Sequence, residues 1–397
     1  MAKPAALPLV LLLAVTTPWA LHAAPALPLP QGCTTADAAG APAPVGTGAS
    51  PAFPPPQLEV RTPVAPSVFD AGGLHYLVYE LQLLNASESP MLIQALDISG
   101  DSADGPRLLR SLSGAELSGA LRMIGGGSLD AAQPLPAGRS ATAYLCLAFA
   151  RTQPVPTQLG HRLRLDSGIA DGPAVPTRGT RVSVLASPVR GQHWLADNAL
   201  ALDRHHRPGL FVAGGRAQIS RRYAIDWKRR IDAAVLSGDP LDVRSYHAYA
   251  QPVFAVADAV VVQARDGLPD NVPRTAAGFT PALPLSMDTL AGNTVVLDLG
   301  DGQYAHYAHL QPGSVAVKAG QRVSAGQRLA RIGNSGDARW PHLHFQVSSG
   351  ADIMNSEGLP FVIRQFRARD AQGHWTERAN EFPLGDGELA FGDPWIR

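Results

Sequence analysis

The stretch that decides the reading of this chain is Trp340 to Val347, WPHLHFQV. His342 and His344 stand two positions apart among apolar and β-favouring residues, and side chains at i and i+2 of a strand point to the same face. The pattern therefore predicts two imidazoles converging on one side of a sheet. Neutral imidazoles so placed make half of a zinc site, since zinc takes nitrogen ligands and keeps a position open for water when it is catalytic. A bare H-x-H strand is also compatible with a merely solvated face, so further residues must carry the argument.

Nine of the twelve histidines lie after residue 190. Upstream of the pair runs GDGQYAHYAHLQPGSVAVKAGQRVSAGQRLARIGNSGDARWPHLHF, from Gly300 to Phe345, with Tyr307, Ala308, His309 and Leu310 as a Y-x-H-L group, paired valine and glycine turns, G-N-S-G and then P-H-L-H-F. In order, spacing and residue type this resembles the lysostaphin-type (LytM-like) zinc endopeptidases that cut peptidoglycan peptides. The resemblance extends through PVFAVADAVVV (Pro252 to Val262) and GNTVVLDLGDG (Gly292 to Gly302), and covers roughly residues 191–350 with a core at 245–350.

That resemblance implies a ligand set with one departure from the pattern. The family supplies a histidine and an aspartate as H-x-x-x-D opening an apolar strand; here RRYAIDW puts Asp226 in the aspartate position and Arg222 where histidine is expected. Arginine stays protonated and cannot ligate zinc. Either the site is degenerate or the imidazole comes from ALDRHHRPGL upstream, where His206 is the favoured candidate and His205 its rival. With His206, Asp226 and His344 as ligands, the resemblance gives His309 and His342 the tasks of proton acceptor, proton donor or oxyanion partner. Strand alternation assigns His306 to the opposite face from His309, in a structural or solvated role.

Thirty-three basic and thirty-three acidic residues cancel, which gives no support to nucleic acid or an anionic membrane as partner. Lys3 followed by the apolar run Ala5 to Val15 and LHAAPALP reads as a secretory signal over 1–24, cleaved between Ala23 and Ala26 and too short for a comfortable membrane span. The implied mature chain has no membrane span and is periplasmic or secreted. In such a compartment Cys33 and Cys146 form one disulfide or remain free thiols.

Residues 25–56, rich in Pro, Ala, Gly and Thr, read as a flexible leader. From 57 to 187 short alternating strands are separated by Pro and Gly clusters; Leu77, Tyr79, Leu81 and Leu83 share one face, and Val78, Glu80 and Gln82 the other. This predicts a mainly β chain: an N-terminal immunoglobulin-like β-sandwich, then a LytM-like antiparallel β-sheet catalytic domain. The sandwich can present the enzyme to its substrate or to a partner protein, or cover the groove. Residues 265–291 read as an inserted loop at the rim of the groove, and 351–397 as a β extension that continues the sheet or folds across it. The function expected is an exported zinc metalloendopeptidase acting on peptidoglycan peptides. The alternatives are a non-catalytic LytM-like protein that binds peptidoglycan or activates a hydrolase, and a binding module with structural zinc.

Overall fold

The computed structural model describes residues 28–44, 53–126, 129–130, 133–385 and 387–392, and the segment read as a secretory signal lies outside them. The chain is mainly β, with one short α-helix, Gly114–Ala120, among the described residues. No helix among them is long and apolar enough to cross a membrane.

An eleven-stranded sheet carries the candidate site. Its centre runs Gly191–Asp197, Ile225–Arg229, Leu343–Ser348, Gln303–Leu310, Asn293–Gly300 and Ala259–Arg265, each antiparallel to the next. Register fixes the faces, because residues opposite each other in a ladder share a side. Ile225, Phe345 and Tyr307 form one row, and Asp226, His344 and Ala308 form the next. The first row is fully buried in the main apolar cluster, so the second must face the other way. The tail extends this sheet: Phe361–Arg369 and Leu389–Phe391 join its far edge, and Trp375–Glu381 pairs with the former.

Towards the N-terminus a six-stranded sheet built on Leu74–Asn85 and Ser140–Ala150, and a five-stranded sheet built on Ile93–Gly100 and Gln158–Leu165, share a second apolar cluster. Leu77, Tyr79, Leu81 and Leu83 enter that cluster. Tyr76 and Val78, on the other face of the same strand, enter the cluster of the eleven-stranded sheet instead. One strand thus serves two cores, and Glu80, also on that second face, is buried between them.

Two expectations need correction. Within the segment read as a flexible leader, residues near Cys33 are held: Cys33 is disulfide-bonded to Cys146, and Thr34–Thr35 pairs in parallel with Leu147 and Ala148. His306 does not face away from the site, because it pairs with Gln346, which lies two residues after His344 on the same face of its strand. The exception to alternation is His309. Its φ of 61°, in the left-handed region where a residue with a Cβ is uncommon, turns it out of the face that Tyr307 occupies.

Candidate metal centre

Asp226 stands at the floor of a cavity of about 490 Å³ whose wall includes His205, His206, His309, His342 and His344. Its Oδ2 accepts a hydrogen bond of 2.6 Å from Asn198 Nδ2. Its Oδ1 faces three imidazoles: His344 Nδ1 at 3.0 Å, His206 Nε2 at 3.4 Å and His342 Nε2 at 3.5 Å. Rings of His309 and His342 lie 4.9 Å apart, and those of His206 and His344 also 4.9 Å. The structure therefore brings together all five residues singled out from the sequence.

The second nitrogen of each ring decides which lone pairs are presented. A carbonyl oxygen can only accept, so a ring nitrogen bonded to one must carry its hydrogen. His206 Nδ1 donates to Ala224 O at 3.0 Å, His309 Nδ1 to Ser335 O at 2.9 Å, and His342 Nδ1 to Trp340 O at 2.8 Å. His344 Nε2 donates to Gln346 Oε1 at 2.9 Å, and that amide is oriented by its own Nε2 donating to Ile353 O at 3.2 Å. In each neutral ring the remaining nitrogen is bare.

His206, His342 and His344 thus turn bare nitrogens toward one carboxylate oxygen. Lone pairs so arranged repel unless a cation lies among them, and two nitrogens with one oxygen is a donor set of catalytic zinc sites. Ring nitrogens tied to carbonyls or amides are also the usual outer support of metal-bound histidine. The residues present fit the ion. His205, His206 and Asp226 offer ligand atoms within 4.8 Å of one another, but His205 is exposed whereas His206 is buried and tied to Ala224. The geometry favours His206.

Burial sets the electrostatics. It depresses the His206 imidazole to about 3 although Asp226 opposes the shift, and it holds the His309 imidazole well below its ordinary value, with His342 and His344 adding to the effect. Burial alone would raise the carboxyl of Asp226, but His206 and His342, which attract the carboxylate when they are protonated, outweigh it and hold the group well below the usual carboxylate range. A neutral His206 imidazole beside an ionised Asp226 carboxylate is the pairing of protonation states that metal binding needs.

Local sequence explains the placement. The G-N-S-G turn is buried at Asn334 and Ser335. Ser335 Oγ accepts from Asn293 N at 2.9 Å and donates to Leu310 O at 2.8 Å, leaving its carbonyl for His309. Gly336 has φ 73°, and a Cβ there would stand 2.3 Å from Gly292 N. Arg222, where a ligand was sought, points elsewhere: its Nε donates to Glu80 Oε2 at 2.8 Å, its Nη2 to Glu357 Oε2 at 3.0 Å and its Nη1 to Gly358 O at 2.9 Å. His306 Nε2 donates to Gly350 O at 3.0 Å, a structural tie. Sequence reading missed Asn198, which has no motif, and Gln346, which alternation places beside His344. Arg274, Leu290 and Ala291 of the inserted loop reach the cavity wall.

Residues 243–356 match Peptidase family M23. The peptidoglycan DD-endopeptidase ShyA of Vibrio cholerae serotype O1 is 35% identical over 96 residues, 24% of this chain and 17% of that protein. ShyB of the same organism, also a peptidoglycan DD-endopeptidase, is 33% identical over 117 residues, 29% of this chain and 26% of its own. The chain thus spans about a quarter or less of the length of these curated relatives. Among solved structures, the lysostaphin catalytic domain of Staphylococcus simulans aligns at 21% identity over 37% of this chain and 80% of its own, with a TM-score of 0.22. A zinc-containing peptidase of Vibrio cholerae aligns at 16% identity over 75% and 84%, with a TM-score of 0.21. His206 and Asp226 lie upstream of the matched span, on segments that pack against it; His309, His342 and His344 lie within it, and residues 243–356 are a peptidase family M23 domain.

Proposed function

We propose that the chain is an exported zinc metalloendopeptidase that hydrolyses peptide bonds in peptidoglycan, with zinc held by His206, Asp226 and His344. The observation that carries this reading is the single carboxylate oxygen faced by bare imidazole nitrogens, each ring fixed by a hydrogen bond through its other nitrogen. A bound zinc supplies Lewis acidity and lowers the pKa of water towards neutrality. His309 and His342 keep bare nitrogens at the cavity, fixed by Ser335 and Trp340, where each can take a proton from water and return it to a departing amine. Asn198 holds the second oxygen of Asp226, so only Oδ1 is offered to the cavity.

Arg222 is engaged with Glu80 and Glu357, so arginine at that position is no sign of a decayed site. The Cys33–Cys146 disulfide supports an oxidising compartment, periplasmic or extracellular. The N-terminal sheets serve as an immunoglobulin-like sandwich backing the site.

The test is metal content and hydrolysis measured on the same variants. Asp226→Ala and His344→Ala are expected to lose zinc, because either leaves two protein ligands. His309→Ala and His342→Ala are expected to keep zinc and lose cleavage of cross-linked peptidoglycan fragments by about 100-fold or more. Parent protein that takes up no zinc, or His309→Ala cleaving at the parental rate, would overturn the reading.

A further inference from the structure

The cavity wall carries more positive charge than its own carboxylates neutralise. Lys228 is paired with Asp197, and Arg339 with Asp337. Arg221 and Arg274 also line the cavity, and among the described residues neither forms an ion pair. Arg221 sits five positions before Asp226, and its Nε is buried without a hydrogen-bond partner. Its guanidinium is seated against the loop that carries His206: a Cβ on Gly209 would stand 2.8 Å from Arg221 Nη2, so glycine there makes room for the group. Arg274 comes from the inserted loop, whose backbone is tied to the segment before His342 by Arg274 N donating to Arg339 O at 2.7 Å.

A guanidinium that forms no ion pair, held at the wall of a cavity with its Nε buried, is suited to a planar anion that can accept two hydrogen bonds from its terminal nitrogens. The geometry points to a carboxylate subsite formed by Arg221 with Arg274, which makes this cavity selective for a peptide bearing a free carboxylate next to the bond that is cut. The assignment deepens the peptidase reading and rests on it for the identity of the ligand as substrate. Arg221 acts here as a specificity residue, while the chemistry stays with the histidines.

The experiment compares one synthetic cell-wall stem peptide as the free acid and as the amide, titrated calorimetrically into zinc-loaded full-length His309→Ala protein to prevent turnover. The free acid is expected to bind about 10- to 100-fold more tightly, the range of a charge-assisted bidentate contact. Adding Arg221→Gln is expected to bring the two peptides to within about threefold, with Arg221→Lys between, because lysine keeps the charge and loses the fork. In a background with His309 intact, Arg221→Gln is expected to raise KM for the free acid with little change in kcat. Should Arg221→Gln fail to fold, Arg274→Gln and the acid-to-amide ratio of the parental sequence decide. Equal binding of acid and amide overturns the subsite, as does a ratio that survives Arg221→Gln, which would place the carboxylate on the metal instead. Loss of carboxylate preference with peptidoglycan cleavage intact sinks the subsite alone; carboxylate preference without any cleavage sinks the peptidase reading alone.

Discussion

Arg222 shows how one side chain can leave a ligand position without emptying the site. Its guanidinium is buried between Glu80, from the N-terminal sheet, and Glu357, and these carboxylates raise its pKa further against the opposing effect of burial. Removing one partner of a buried ion pair typically costs about 3 to 5 kcal/mol, because the other charge is left uncompensated. Arg222→His should therefore lower unfolding stability by roughly that amount in urea without raising zinc affinity, since position 222 is oriented toward Glu80 and the ligand proposed in its stead is His206. A double variant, Arg222→His with His206→Ala, that recovered parental zinc binding would show the family's usual ligand position to be usable here and His206 dispensable. The pair could not be foreseen from sequence: 142 positions separate its members, and nothing in YELQLL marks Glu80 as buried.

At the scale of the element, the Gln303–Leu310 strand delivers His309 only because its last residues leave regular strand geometry. A left-handed φ at His309 costs about 1 to 2 kcal/mol, and the surrounding turn must hold it. His309 N donates to Ala291 O at 2.9 Å, Gly333 N donates to His309 O at 3.0 Å, and Ser335 O holds the ring. Gly336→Ala would force a Cβ toward Gly292 N at a positive φ and should destabilise the protein by about 3 kcal/mol. Hydrolysis should fall more than zinc binding, because the turn carries His309 and none of the proposed ligands; equal losses of both would place the turn's role in the whole sheet instead. Alternation made the row of His344 and Asp226 legible, since period two survives wherever the strand is regular. It assigned His306 to the wrong face because the reasoning ran backwards from His309, the residue at which the period breaks. Gln346 was legible by the same rule, two positions after His344. Asn198 was not, lying in a segment with no periodic signal.

For the whole molecule, the distant histidine becomes intelligible through the N-terminal sheet. The loop bearing His205 and His206 is clamped to the strand Ser140–Ala150: Arg207 Nη2 donates to Leu145 O at 2.8 Å, and Tyr144 OH donates to Pro208 O at 3.2 Å. Arg207 Nη1 also donates to Leu200 O at 3.3 Å, and the side chain is fully buried. Leu202, just before the histidines, packs with Tyr144 and Ile219, and its N–H donates to Gln31 O at 2.9 Å, beside the disulfide at Cys33. An imidazole outside the M23 span can thus reach Asp226 because another sheet fixes its loop, a dependence the composition of ALDRHHRPGL could not reveal. The consequence is that metal affinity and fold stability should respond differently to Arg207. Arg207→Met keeps most of the side-chain stem but removes both backbone ties. It also relieves the burden of a buried guanidinium, whose pKa burial already lowers, and replacing a buried charge by an apolar group is often close to neutral for stability. The urea midpoint should therefore move little while zinc affinity, measured by competition with a chelator, falls by about tenfold or more, the scale reported for lost supporting contacts around a metal. Zinc binding as tight as the parent's in Arg207→Met would mean that the loop holds His206 in place by itself, and that the N-terminal sheet contributes nothing to the site.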